Sequence, residues 1–141
     1  MRALTDKAVI WHGGELWRRE GCVHGLSPEE IDELRLATAA VSGLSIPLEA
    51  VERADFPLPL LAKRLAAAAT TLENGPGVFL LRGVPVARYC ENEAARLFWG
   101  LARYLGTPVS QSAAGGRFFK VRDEGFAMAM PRRAAPIPAR R

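Results

Sequence analysis

Two histidines, two cysteines and one dense run of carboxylates are the residues of this 141-residue chain with the most chemistry to offer. His12 is followed by Gly13-Gly14 and His24 by Gly25-Leu26, so neither opens a His-x-Asp or His-x-Glu triplet. A bound metal needs further ligands at suitable spacing, and both histidines read as structural or surface residues. Cys22 and Cys90 stand far apart in sequence and in no Cys-x-x-Cys pattern. They read as reduced thiols, with neither a zinc site nor a disulfide framework. Glu29, Glu30, Asp32 and Glu33 fall in the first turns of an expected helix, where negative charge suits the helix dipole, and the reading is a solvated face and not a cation site. Gly13-Gly14 and Gly115-Gly116 lack the Lys-Ser/Thr of a phosphate loop. No Ser/His/Asp arrangement or paired-carboxylate site is discernible, so no catalytic, cofactor-binding or metal residue is assigned.

The elements that would position such groups are clearer. Gly77-Val78-Phe79-Leu80-Leu81-Arg82-Gly83-Val84-Pro85 is apolar on both alternating faces and bounded by turn residues, which predicts a central, buried strand needing cover on both sides. Ser27-Pro28-Glu29-Glu30 is a capping box with proline at the first helical position. It opens a helix with Ile31, Leu34, Thr38 and Val41 on one face, Asp32, Glu33 and Arg35 turned to water, and Gly43 ending it in the left-handed conformation. Ser45 to Pro59 carries three prolines and reads as a wrapping connector. A second helix is expected from about Pro59 to Asn74, using Leu61, Leu65, Ala68 and Leu72. A third is expected over Glu91 to Leu105, with Ala94, Phe98, Leu101 and Leu105 on one face and Leu97 widening it. Trp99 and Tyr104 read as core or rim packing. Val9-Ile10-Trp11 is a candidate short strand, Thr107 to Gln111 an extended segment, and Arg117 to Arg122 strand-like.

Gly77 to Val86, Phe98-Trp99-Gly100-Leu101 and Leu105-Gly106-Thr107-Pro108-Val109-Ser110-Gln111 together resemble the N-terminal part of the TauD/TfdA family of iron(II)- and 2-oxoglutarate-dependent dioxygenases. The resemblance runs from about Trp11 to Asp123. It implies an α/β fold: the N-terminal helices and first strands of a double-stranded β-helix (jelly-roll, clavaminate synthase-like), incomplete here. The family reaction it implies is hydroxylation of a small organic substrate coupled to decarboxylation of 2-oxoglutarate to succinate. An iron(II) site of this kind needs two histidines and a carboxylate on one face of the metal. The family's His-x-Asp motif, its second histidine and the arginine that grips 2-oxoglutarate come later than the matched segment. They have no counterpart here, so no cofactor is expected on this chain and it is expected to be inactive alone. Arg82, ending the strand, and Gln111, at an extended turn, are the rim positions a substrate cavity would use, and the resemblance places Gln111 near the cavity mouth. The alternatives are an ion pair for Arg82 and a backbone hydrogen bond for Gln111.

These readings divide the chain into an N-terminal arm at 1–25, a partial TauD/TfdA-like domain at 26–123 and an irregular Arg/Ala/Pro-rich tail at 124–141. The tail resembles a frameshifted or prematurely terminated reading of a longer coding sequence. The formal charge of +4 comes from residues 126–141, where Arg132, Arg133, Arg140 and Arg141 stand without an acid, and the remainder is balanced. A basic groove for nucleic acid across the body is therefore not indicated, although the tail alone could hold an anionic surface weakly. The N-terminus lacks a secretory apolar core and no stretch approaches a transmembrane span, so a cytoplasmic protein is expected. A strand without partners on one edge exposes a surface for self-association. A non-catalytic module that binds a partner through that edge or the basic tail is the rival reading.

Overall fold

The computed structural model describes residues 11–16, 18–19 and 21–121. Val9-Ile10, Trp17 and the tail at 124–141 lie outside them. Six elements recur below: α1 (Gly13–Leu16), β1 (Val23–Gly25), α2 (Pro28–Ser42), α3 (Ala62–Asn74), β2 (Leu80–Arg82) and α4 (Glu91–Leu105). Among the described residues, β1 and β2 form a two-stranded parallel sheet with Val23 opposite Leu80, His24 opposite Leu81 and Gly25 opposite Arg82. The ladder is extended at both ends, by Leu80 N–H donating to Cys22 O (2.8 Å) and Leu26 N–H to Arg82 O (2.9 Å). Parallel pairing demands a long crossover, and α2, the connector and α3 supply it. The sheet thus draws one strand from inside the span read as an arm.

α2 begins as the sequence dictates. Ser27 Oγ accepts from Glu30 N–H (3.3 Å) while the Glu30 carboxylate accepts from Ser27 N–H (2.8 Å), which satisfies two donors that the helix itself leaves unpaired. Leu34, Ala37, Thr38 and Val41 are buried along one face, and Thr38 Oγ1 returns its proton to Leu34 O (2.7 Å). Gly43 ends the helix at φ −75°, in the right-handed region, and not in the left-handed conformation expected. Its N–H reaches the Ala39 and Ala40 carbonyls at 3.1 and 3.2 Å, so the last turn is closed without a change of hand.

The core is helical. Leu34 and Val41 from α2, Leu65 from α3, and Leu97 and Trp99 from α4 enclose Val51, Phe56 and Leu58 of the connector and Leu61 at the start of α3. α4 packs on both α2 and α3. The strand expected to be central is instead three residues long, with Leu80 and Leu81 half-buried and Arg82 exposed. Among the described residues it pairs on one edge only, whereas the apolar connector fills the space between the helices and becomes the interior. Gly83 follows it with φ +90°, a conformation that favours glycine, and turns the chain away.

α4 has the expected bounds but a different rotation about its axis. Phe98 is 61% exposed, while Leu97, Trp99 and Gly100 are buried. Three polar side chains on this helix fix that phase by capturing carbonyls of the connector. Arg96 Nη2 donates to Ile46 O (2.9 Å), Trp99 Nε1 to Val51 O (3.0 Å) and the Tyr104 hydroxyl to Phe56 O (2.8 Å). Tyr104 also accepts from Leu58 N–H (2.9 Å), so one hydroxyl satisfies both sides of Pro57. A connector with little regular structure must place its backbone polar groups somewhere, and here α4 receives them. Arg117–Val121 has no strand partner among the described residues, contrary to the strand-like alternation of its sequence. Phe118 instead packs on α4, edge-on to Trp99 (6.3 Å between ring centres) and tilted against Phe98 (6.1 Å).

Candidate functional site

The acidic run expected to form a solvated face is divided by the fold. Glu30 and Glu33 are buried, and each serves a neighbour beyond its own helix. The ladder of α3 in effect starts at Leu58, whose carbonyl accepts from Ala62 N–H (2.8 Å). Leu60 and Leu61 therefore carry first-turn N–H groups with no partner inside the helix. Glu33 of α2 accepts both, at 2.6 and 3.0 Å. A carboxylate at a helix N-terminus is also favoured by the dipole. Asp32 remains exposed, paired with Arg35 at 3.2 Å.

Glu30 gathers the one histidine cluster among the described residues. His24 Nε2 lies 3.2 and 3.0 Å from the two carboxylate oxygens, and Arg64 Nε lies 3.2 Å from Oε1. Arg64 Nη1 is 3.4 Å from His24 Nδ1. The network assigns the tautomer: Nε2–H donates to Glu30, and Nδ1 accepts from Arg64. A carboxylate orienting an imidazole is half of an acid–base dyad. Here the other ring nitrogen faces a guanidinium, which occupies the lone pair a substrate proton would need. The cluster is a clip that joins β1, the start of α2 and α3. Burial opposes the ionisation of Glu30, yet the Ser27 N–H, the His24 hydrogen bond and the attraction of His24 and Arg64 outweigh it and hold the carboxyl below its ordinary range.

A second ionic contact ties residue 117 to the connector. Arg117 donates its backbone N–H and Nε to the Glu49 carboxylate, each at 3.2 Å, and Nη2 to Glu49 O (3.3 Å). The backbone and side-chain hydrogen bonds from Arg117 lower the Glu49 pKa.

Of the two rim residues, Gln111 lines a cavity of about 370 Å³ beside Phe98, Trp99, Arg117 and Phe118. Its side-chain amide sits 3.5 Å from Val109 O, and its backbone N–H donates to Gly116 O (2.8 Å), closing the 111–116 turn. Arg82 is exposed at the end of β2 and is not among the residues lining that cavity. Cys22 is buried and Cys90 exposed, and both thiols are free.

The donors do not fit a two-histidine, one-carboxylate iron site. Among the described residues no three His, Cys, Asp or Glu side chains come together as a metal site. His24 is engaged on both nitrogens, and His12 is exposed in α1's approach. No described helix is long and apolar enough to cross a membrane.

No protein-family model matches the chain. FR-33289 synthase of Streptomyces rubellomurinus is 33% identical over 75 residues, which are 53% of this chain and 22% of that protein. The match thus spans about a fifth of that relative's length. It connects the chain loosely to an enzyme named as a synthase.

Proposed function

We propose that this chain is the N-terminal portion of a TauD/TfdA-like oxidoreductase, a cytoplasmic enzyme whose family reaction couples hydroxylation of a small organic substrate to 2-oxoglutarate decarboxylation. The observation that carries the reading is the similarity to a synthase, together with the run Gly77 to Val86 and the segment Leu105 to Gln111 on which the family resemblance rests. In this reading the portion supplies scaffold: the helices α2 to α4 and a first parallel strand pair. The iron ligands and the 2-oxoglutarate arginine belong to later sequence, and no step of the reaction is assigned to residues present here. The test is succinate release from 2-oxoglutarate by the purified chain. The expected result is none above a metal-free control. Iron-dependent, saturable succinate formation would overturn the inactivity.

A second reading is a non-catalytic module that pairs with another chain. It is favoured by the sheet order, in which β1 and β2 each keep one edge without a strand partner among the described residues. Such edges template further pairing. Dimerisation that rises with concentration and is blocked by Leu81→Pro, with the fold retained, supports it; a monomer at all concentrations excludes self-pairing.

A further inference from the structure

The clip around Glu30 holds two groups that can carry positive charge on one carboxylate. His24 Nε2 lies 3.0 Å from Oε2 and Arg64 Nε lies 3.2 Å from Oε1, while Arg64 Nη1 sits 3.4 Å from His24 Nδ1. The last contact is a hydrogen bond only while Nδ1 keeps its lone pair. A proton taken from water onto Nδ1 turns it into a donor facing a donor, and sets an imidazolium against a guanidinium. Imidazole is the side chain that changes charge near neutral pH, so this contact has two states within an ordinary pH range.

The surroundings decide which group gives way. The ring meets Glu30 from α2 and Arg64 from α3, and from β2 the apolar Leu81 stands opposite. Arg82 and Lys63, the neighbouring cations on β2 and α3, are exposed. The His24 side chain is 16% exposed and that of Glu30 9%, against 60% for Arg64. His24 is also short and sits on β1, whose backbone is bonded to β2 on either side of it at Cys22 O and Leu26 N–H. Arg64 has a long chain whose head regains water at once. Unpairing a buried charge costs far more than unpairing an exposed one. Although burial opposes it, the Ser27 N–H and the His24 bond keep the Glu30 carboxyl below its ordinary range, so it stays an anion throughout.

We propose that His24, Glu30 and Arg64 form a pH-operated latch between α3 and the corner made by β1 and α2. With His24 neutral, Arg64 is docked and the three elements are joined. With His24 protonated, Nε2–H stays on Glu30, Nδ1–H turns to water in the space that Arg64 leaves, and the Arg64 head moves into solvent. Acidification thus unties the Arg64 end of α3 from the corner and presents a free guanidinium on its surface, while Glu33 continues to hold Leu60 and Leu61. The inference rests on the clip alone and stands whether or not the oxygenase reading does.

The experiment is a pH titration of the full ¹³C,¹⁵N-labelled chain by NMR from about pH 8 to about pH 5, reading the His24 ring and Arg64 Nε resonances together. Arg64 Nε should move from a bonded position to that of a solvated arginine with the same midpoint as His24. For one proton, the docked fraction falls from about nine-tenths to about one-tenth over two pH units. In His24→Gln the amide can donate to Glu30 and accept from Arg64 but takes up no proton, so Arg64 should stay docked across the whole range. The wild-type titration remains decisive if that variant does not fold. The proposal is overturned if Arg64 Nε stays in place while His24 titrates, or moves with a different midpoint. An equal movement in His24→Gln, or a His24 ring that stays neutral down to about pH 5, would also overturn it.

Discussion

Replacing Glu33 with alanine tests whether the acidic run is a solvated surface or a joint between helices. The Glu33 carboxylate accepts two backbone N–H groups from the start of α3, Leu60 at 2.6 Å and Leu61 at 3.0 Å. Hydrogen bonds to a charged group contribute about 1.5–3 kcal/mol each, but removing a buried carboxylate also returns its desolvation cost. Leu60 is 54% exposed, so its N–H regains water when Glu33 is lost. Leu61 is fully buried, and its N–H is stranded. The net expectation for Glu33→Ala is a loss of about 2–3 kcal/mol, dominated by that stranded donor. Glu33→Gln keeps one acceptor oxygen and should lose roughly half as much. Asp32→Ala is the control: it breaks an exposed pair with Arg35, worth no more than about 0.5 kcal/mol. Urea unfolding with comparable m-values gives the comparison directly. If Glu33→Ala and Asp32→Ala have the same midpoint, the carboxylate does not cap α3 and the reasoning fails.

Three further outcomes follow from other contacts. A β-carbon at Gly100 would overlap the buried Phe56 ring, so Gly100→Ala should destabilise by about 1–2 kcal/mol despite its better helix propensity; a stabilised variant in thermal unfolding would show that α4 does not press on Phe56. Tyr104→Phe removes the hydroxyl that bonds Phe56 O and Leu58 N–H, with an expected cost of about 1–3 kcal/mol by denaturant titration; no loss would place that hydroxyl elsewhere. The lowered pKa of Glu30 means its stabilising contribution is present above the unfolded-state carboxylate value of about 4.3 and is lost as pH falls through the folded value. Glu30→Gln should therefore flatten the acid side of the stability profile, and an unchanged slope below about pH 4 would contradict the clip with His24 and Arg64.

The parts of the fold written in local sequence were legible from it. The start of α2 follows from Ser27 and Glu30, because a capping box is complete within four residues. The bounds of α4 follow from its apolar spacing and Gly106. What escaped depends on neighbours remote in sequence. A helical wheel assigns Glu33 to water since it contains only α2, whereas its partners are 27 and 28 positions away. The phase of α4 is ambiguous by hydrophobicity alone, with Phe98 and Trp99 adjacent; the bond from Trp99 to Val51 O decides it. β1 is three residues with a histidine and a glycine, too short for any alternation to register. The long apolar run at Val78 to Leu81 is genuine, but burial depends on what covers it, and the connector took the interior instead. Gln111 and Arg82 read as rim residues from their places in the chain and, for Gln111, from the family resemblance; that Gln111 lines a cavity with Phe98 and Phe118 is invisible there.

The most direct test of the central claim is the coding DNA read through and beyond codon 141 in all frames. The expected result is a His-x-Asp triplet downstream, followed by a later histidine and arginine in a frame continuous with the family resemblance. Their absence from every frame would contradict the oxygenase reading and leave a binding module as the function to pursue.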